Sequence, residues 1–159
     1  MTTHTKEIER KWLLRDLPSL GDLKGEQIVQ GYLVISSDGT EVRIRRKGDT
    51  CFETVKSHGE LTRDELEVEI SRDQFLALWP ATEGRRIQKT RYALKENGYQ
   101  LELDVYQGSL EGLLVAEIEF ASVEESKLFS PPVWFGHEVT NDKHYKNSSL
   151  ALHGKGYVR

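Results

Sequence analysis

Eight stretches of the chain, 7–14, 27–35, 41–47, 51–56, 63–70, 88–94, 100–106 and 114–120, alternate with a period of two. Side chains two apart on a strand share a face, so this alternation predicts half-buried strands. What constrains the fold most is the content of one parity. It holds Glu7, Glu9 and Lys11, then Arg43, Arg45 and Lys47, then Lys56, then Arg63, Glu65, Glu67 and Glu69. Lys89 and Arg91, Glu102 and Asp104, and Glu117 and Glu119 continue the series, while Leu66, Val68, Ile70, Leu101, Leu103, Ala116, Ile118 and Phe120 take the other parity. An ordinary antiparallel sheet with a wet face explains the alternation but not the segregation. Wet faces mix Ser, Thr, Gln and Asn among their charges, whereas these runs are nearly pure acid or nearly pure base, and neighbouring like charges repel. A sheet closed into a barrel with this face inward would line a cavity with both sets. Carboxylates could then hold divalent cations, and the Arg and Lys set a polyanion. The apolar parity would face outward and need covering by helices or a second subunit.

The breaks between strands carry turn chemistry: Ser-Asp-Gly at 37–39, Lys-Gly-Asp at 47–49, His-Gly-Glu at 58–60 and Asn-Gly at 97–98. Such short breaks predict antiparallel hairpins. A helix is expected after Ser71, which suits an N-cap, and should stop before Pro80. Two more are expected at 123–129 and within 142–152, the latter burying Tyr145, Leu150 and Leu152. The 159 residues suit one domain, 1–159, and the fold class is mainly β, with helices covering a face or plugging an end.

Composition excludes several functions. Apolar residues make up 37% of the chain and no apolar run approaches the length of a membrane span, so a cytoplasmic protein with no membrane partner is expected. Cys51 is the only cysteine, which rules out an intrachain disulfide and a Cys-based zinc or redox motif. Cys51 reads instead as a small buried apolar residue, and Trp12, Trp79 and Trp134 as packing residues. The net charge of −4 argues against a nucleic-acid partner. The five histidines never fall at metal-ligand spacing with one another, and HExxH, GxSxG, P-loop and GxGxxG motifs are absent.

Taken in order, the charged segments resemble a known family. Glu7-Ile8-Glu9-Arg10-Lys11 matches the ExExK signature of the CYTH, or triphosphate tunnel metalloenzyme, superfamily. Val-Arg-Ile-Arg at 42–45, Lys56, Glu-Leu-Glu-Val-Glu at 65–69, Lys-Thr-Arg at 89–91, Leu-Asp-Val-Tyr at 103–106 and Glu-Ile-Glu at 117–119 follow in the family's order. Gln30-Gly31-Tyr32 and Asp142-Lys143-His144-Tyr145-Lys146-Asn147 make the chain most similar to the short bacterial inorganic triphosphatases. The resemblance implies a closed eight-stranded antiparallel β-barrel tunnel that hydrolyses tripolyphosphate to pyrophosphate and phosphate.

It also implies roles. Lys11, Arg43, Arg45, Lys56, Lys89, Arg91 and Lys143 would bind the triphosphate, Arg by bidentate contact and Lys as point charges. Glu7, Glu9, Asp104, Glu117 and Glu119 would bind Mg²⁺ or Mn²⁺, one ion bridging phosphate oxygens and a second presenting water. Glu65, Glu67, Glu69 and Glu102 would either ligate metal or orient the bases. A Lys11 and Tyr32 pair would position or deprotonate the water, or else Lys11 would clamp phosphate with Tyr32 as wall. Other activities of the superfamily, a class IV adenylate cyclase or a nucleoside or thiamine triphosphatase, would need a stacking surface; Tyr32, Phe52 and Tyr106 are the inward rings on offer. A non-catalytic polyphosphate-binding module would keep the bases but could lose the acids. An outward apolar parity too wide for three short helices predicts a homodimer.

Overall fold

The computed structural model describes residues 2–58 and 62–154. Eight strands form a closed barrel in the order β1-β5-β4-β3-β2-β6-β7-β8, every pairing antiparallel. They are β1 (Thr2–Leu13), β2 (Glu26–Ile35), β3 (Glu41–Lys47), β4 (Thr50–Lys56), β5 (Thr62–Ile70), β6 (Arg86–Glu96), β7 (Tyr99–Tyr106) and β8 (Leu114–Glu119). All eight predicted strands are present, most of them a little longer than the alternation alone marks. Closure falls to β1, whose first half pairs with β5 and whose second half pairs with β8.

Asn97 and Gly98 make the two-residue turn from β6 to β7, both with positive φ (51° and 84°), as the Asn-Gly signal requires. Not every connection is a hairpin, however: β1 and β2 are not neighbours, and neither are β5 and β6. The link from β5 to β6 carries α1 (Arg72–Leu78) and a 3₁₀ turn, Trp79–Thr82. Ser71 caps α1 by accepting the Gln74 amide, and the Gln74 side chain returns the bond to the Ser71 amide. Gly59 and Glu60, of the predicted 58–60 turn, lie outside the described residues.

As the charge pattern demanded, the barrel is inverted, polar within and apolar without. Its covering differs from expectation. Phe75 of α1 packs on Ile44 and Cys51, which is buried. Much of the rest is covered by irregular chain: Leu17 and Leu20 lie against Leu103 and Ala116, and Phe129, Trp134 and Phe135 lie against Trp12 and Ile118. Short helix α2 (Val123–Leu128) leaves Leu128 largely exposed. The tail helix α3 (Asn147–His153) plugs one end from inside, where Leu150 meets Ile87, Tyr106, Leu110 and Val115. Tyr145 and Leu150 are buried as expected, but Leu152 is about half exposed, because only one side of α3 enters the barrel.

Candidate active site

Strand parity brings the charged residues to the barrel axis. Two cavities share the interior. The larger, about 650 Å³, is lined by Glu7, Arg45, Lys89, Arg91, Glu117 and Glu119 among others. The smaller, about 530 Å³, lies beside α3 against Lys11, Tyr32, Glu41, Arg63, Thr140 and Asp142. Glu9, Arg43, Lys56 and Asn147 line both and form their common wall.

The bases fall into two groups. Lys89 Nζ is 2.6 Å from Asp104 Oδ2, and Arg91 grips the same carboxylate with Nε to Oδ1 at 2.7 Å and Nη2 to Oδ2 at 2.8 Å. Arg91 Nη1 also donates to Glu102 Oε2 at 2.8 Å. Burial opposes ionisation of Asp104, but Lys89 and Arg91 overcome it and hold the carboxyl well below its usual range. Burial brings Lys89 down to about 8, even with Asp104 beside it. Asp104, expected among the metal ligands, has both oxygens in contact with these two bases and so orients them. Arg43 and Arg45 are different, since each buries an Nε atom that has no hydrogen-bond partner. The nearest acid to Arg45 is Glu67, at 3.8 Å. Burial, then the neighbouring Arg43 and Arg91, lowers Arg45 to about 10. An anion between these guanidinium groups would meet the terminal nitrogens of both.

The acids concentrate on β1, β5 and β8. Lys56 Nζ lies 3.1 Å from Glu7 and 3.5 Å from Glu65. Burial works against the Glu7 carboxylate, but Lys56 and hydrogen bonds with Glu65 and Glu9 keep it below the usual range. Burial, then Glu117 and Glu7, pushes Glu9 up to about 8, and its remaining exposure is to the tunnel. Burial and Glu7 also raise Glu119. Glu117 Oε1 sits 3.4 Å from Lys11 and accepts no hydrogen bond. No three acidic or histidine side chains among the described residues converge in metal-ligating geometry. The donors nonetheless fit a hard divalent cation. Glu7, Glu9, Glu117 and Glu119 bring carboxylates together on adjacent strands, and burial and the neighbouring acids raise Glu9 and Glu119, which a cation among them would offset.

Lys11 and Tyr32 both line the smaller cavity. Burial opposes the charge on Lys11, but Glu117 and Glu9 raise its pKa above the ordinary lysine value. Burial, then Glu41, pushes the Tyr32 hydroxyl well above its ordinary range. As ammonium and phenol they can donate to a substrate or hold a water. Lys143 lies outside the tunnel, on a shallow recess with Glu138 and His144, and Lys146 lines the tunnel in its place. Glu65 and Glu102 line the larger cavity, Glu67 accepts from the Thr54 hydroxyl at 2.8 Å, and Glu69 is exposed at the rim.

Sequence reading missed Lys146 and Asn147. The signal was available: once Leu150 is taken to enter the barrel, residues three and four positions earlier on the helix share its face. Asn147 accepts from the Tyr106 hydroxyl and so ties the plug to β7. Also missed was the buried pair of Arg63 and Glu41, 3.3 Å apart, in which Arg63 further donates to Ser57 O and Gly39 O.

Against this geometry the comparisons are specific. The chain is 50% identical over 147 residues to an inorganic triphosphatase of Nitrosomonas europaea, covering 92% of this chain and 97% of that protein. The chain belongs to the inorganic triphosphatase family. A second member, from Acetivibrio thermocellus, is 35% identical over 147 residues, or 91% of this chain and 92% of the relative. The crystal structure of the inorganic triphosphatase NE1496 superposes with a TM-score of 0.70 at 47% identity, covering 91% of this chain and 97% of that one. A Hippeastrum protein described as having a dominant triphosphatase activity shares the fold, with a TM-score of 0.55 at 19% identity over 76% of this chain and 82% of its own. No family model matches.

Proposed function

We propose that the chain hydrolyses inorganic tripolyphosphate to pyrophosphate and phosphate inside the tunnel, with Mg²⁺ or Mn²⁺ as cofactor. The observation that carries this reading is a cavity lined by Arg43, Arg45, Lys89 and Arg91 together with the acids Glu7, Glu9, Glu117 and Glu119. A polyanion with divalent cations complements both sets. The kinship with inorganic triphosphatases supports the same substrate.

In this reading the chain supplies position and charge, the main contributions protein groups make to phosphoryl transfer. Arg43 and Arg45 grip phosphate oxygens through their free N–H groups. Lys89 and Arg91, fixed by Asp104, present a rigid pair of cations to the charge that grows on the transferring phosphoryl group. Lys11, held charged by Glu117, and the neutral Tyr32 hydroxyl donate from the second cavity. A divalent ion held by Glu7, Glu9, Glu117 and Glu119 would act as a Lewis acid on phosphoryl oxygens and lower the pKa of water.

A bare polyphosphate fits better than an organic triphosphate. Leu150 and its apolar neighbours close one end, and of the three inward rings Tyr32 and Tyr106 are each only 1% exposed, with no face for a base or thiazole to stack on, while Phe52 is partly buried between Arg45 and Glu69. Retention of both acids and bases favours an enzyme over a binding module. A single buried cysteine suits a cytoplasmic setting, and among the described residues no helix is long and apolar enough to cross a membrane. We further read the protein as a homodimer. Val34, Val42, Val55 and Leu66 stand opposite one another across β2 to β5 on the outside, with Val34 48% and Leu66 45% exposed.

The test is phosphate release from tripolyphosphate, ATP and thiamine triphosphate with Mg²⁺ or Mn²⁺. Tripolyphosphate should be preferred and a chelator should abolish release. Preference for either organic triphosphate would move the assignment elsewhere in the superfamily.

A further inference from the structure

Gln30 is completely buried inside the barrel, between Arg45 on β3 and Ile87 on β6. Its Nε2 donates to the Tyr32 hydroxyl at 3.1 Å, and its Oε1 has no partner. Across the β2–β3 ladder, Gln30 stands directly opposite Arg45, and Tyr32 directly opposite Arg43. Directly opposed side chains on one face of an antiparallel pair have Cβ atoms only about 4.5–5.5 Å apart. The residue that carries the buried acceptor without a donor is therefore the immediate cross-strand neighbour of Arg45, whose buried Nε is a donor without an acceptor.

The backbone keeps this neighbourhood in place. At the intervening Gly31, a Cβ would lie 2.5 Å from Thr82 Cβ, so β2 sits hard against the 3₁₀ turn with residues 30 and 32 turned inward. Tyr32 N donates to Arg85 O, and Arg85 Nε returns a bond to Tyr32 O.

We infer that Gln30 is a positioning residue for Arg45: with a phosphate anion in the tunnel, Gln30 Oε1 accepts the Arg45 Nε–H while the two terminal guanidinium nitrogens hold the anion. An arginine so held presents its terminal fork in one orientation, which favours bidentate phosphate contact. Tyr32, by fixing the amide through Nε2, sets which way Oε1 points. This inference rests on the triphosphatase reading and adds to it the residue that aims one of its two free guanidinium groups.

Steady-state kinetics with tripolyphosphate and Mg²⁺, on a double-mutant cycle of Gln30→Met and Arg45→Ala, tests it. Met keeps the volume and removes the acceptor, so a space-filling role for Gln30 would leave kinetics unchanged. Gln30→Met should raise KM about tenfold, with a smaller change in kcat, the size of one hydrogen bond to a charged group. In the Arg45→Ala background the same change should have no further effect, because the partner is gone. Parent-like KM in Gln30→Met, or full additivity with Arg45→Ala, overturns the inference. If Gln30→Met fails to fold, Tyr32→Phe, which frees the amide, carries the same expectation of raised KM and non-additivity with Arg45→Ala. A parent-like KM in Arg45→Ala itself would instead sink the triphosphatase reading.

Discussion

Glu9 on β1 stands directly opposite Glu119 on β8, two acids facing each other across a ladder that lines the tunnel. Opposed like charges destabilise a sheet, so the pair belongs in a folded barrel only if something positive shares the space.

A pH signature follows. The Glu9 carboxyl is raised from 4.5 to about 8 by burial, Glu117 and Glu7. A carboxyl raised on folding holds its proton more tightly in the native state, so native stability falls as pH climbs from 4.5 through 8. Divalent cations compete with that proton, and their stabilisation should grow over the same interval. Thermal melts between about pH 5 and about pH 9, with and without Mg²⁺, should show a widening gap in the parent and a much flatter one in Glu9→Gln. A gap independent of pH in the parent would remove Glu9 from the metal set.

Asp104→Asn keeps the shape of the buried acid and removes the charge that Lys89 and Arg91 share. Lys89 is only 1% exposed and already lowered to about 8, so it would be left as an uncompensated buried cation. The cost should be about 3–5 kcal/mol in urea unfolding, with turnover falling as both bases lose their anchor. Unchanged stability would mean the pair contributes orientation alone.

Gly31→Ala should destabilise by about 1–3 kcal/mol, since its new methyl group would overlap buried Thr82, whose hydroxyl already donates to Trp79 O. Chemical denaturation measures this, and a neutral effect would show that the turn can shift away from β2.

Light scattering should report a particle of about twice the 18.3 kDa chain mass at micromolar concentration. Leu66→Arg, at the β5 end of the outer apolar row, should give a monomer that still folds. A parent monomer would leave that row as ordinary exposed surface.

Much of the barrel was legible because parity on a strand fixes the face. Glu7, Arg45 and Glu117 could be placed inside from spacing alone, and Ser71 marked its helix by its capping chemistry. What spacing leaves open is whatever depends on a third dimension. Asp104 has the right parity for a metal ligand, but only the β6–β7 register shows Arg91 directly across from it, ready to take its oxygens. Lys143 and Lys146 differ by three residues in a tail with no strand period, and the 3₁₀ turn Lys143–Tyr145 decides which of them turns inward.

The most direct measurement is metal-dependent release of phosphate from tripolyphosphate by the parent, Arg45→Ala and Glu117→Gln, with Mg²⁺ varied. The parent should yield one phosphate and one pyrophosphate per substrate. Arg45→Ala should raise KM and lower kcat, with no recovery as Mg²⁺ increases, whereas Glu117→Gln should lose nearly all turnover and regain part of it at high Mg²⁺. If both variants release phosphate at the parent rate, the tunnel residues neither grip the substrate nor hold its cation, and the charged interior has another purpose.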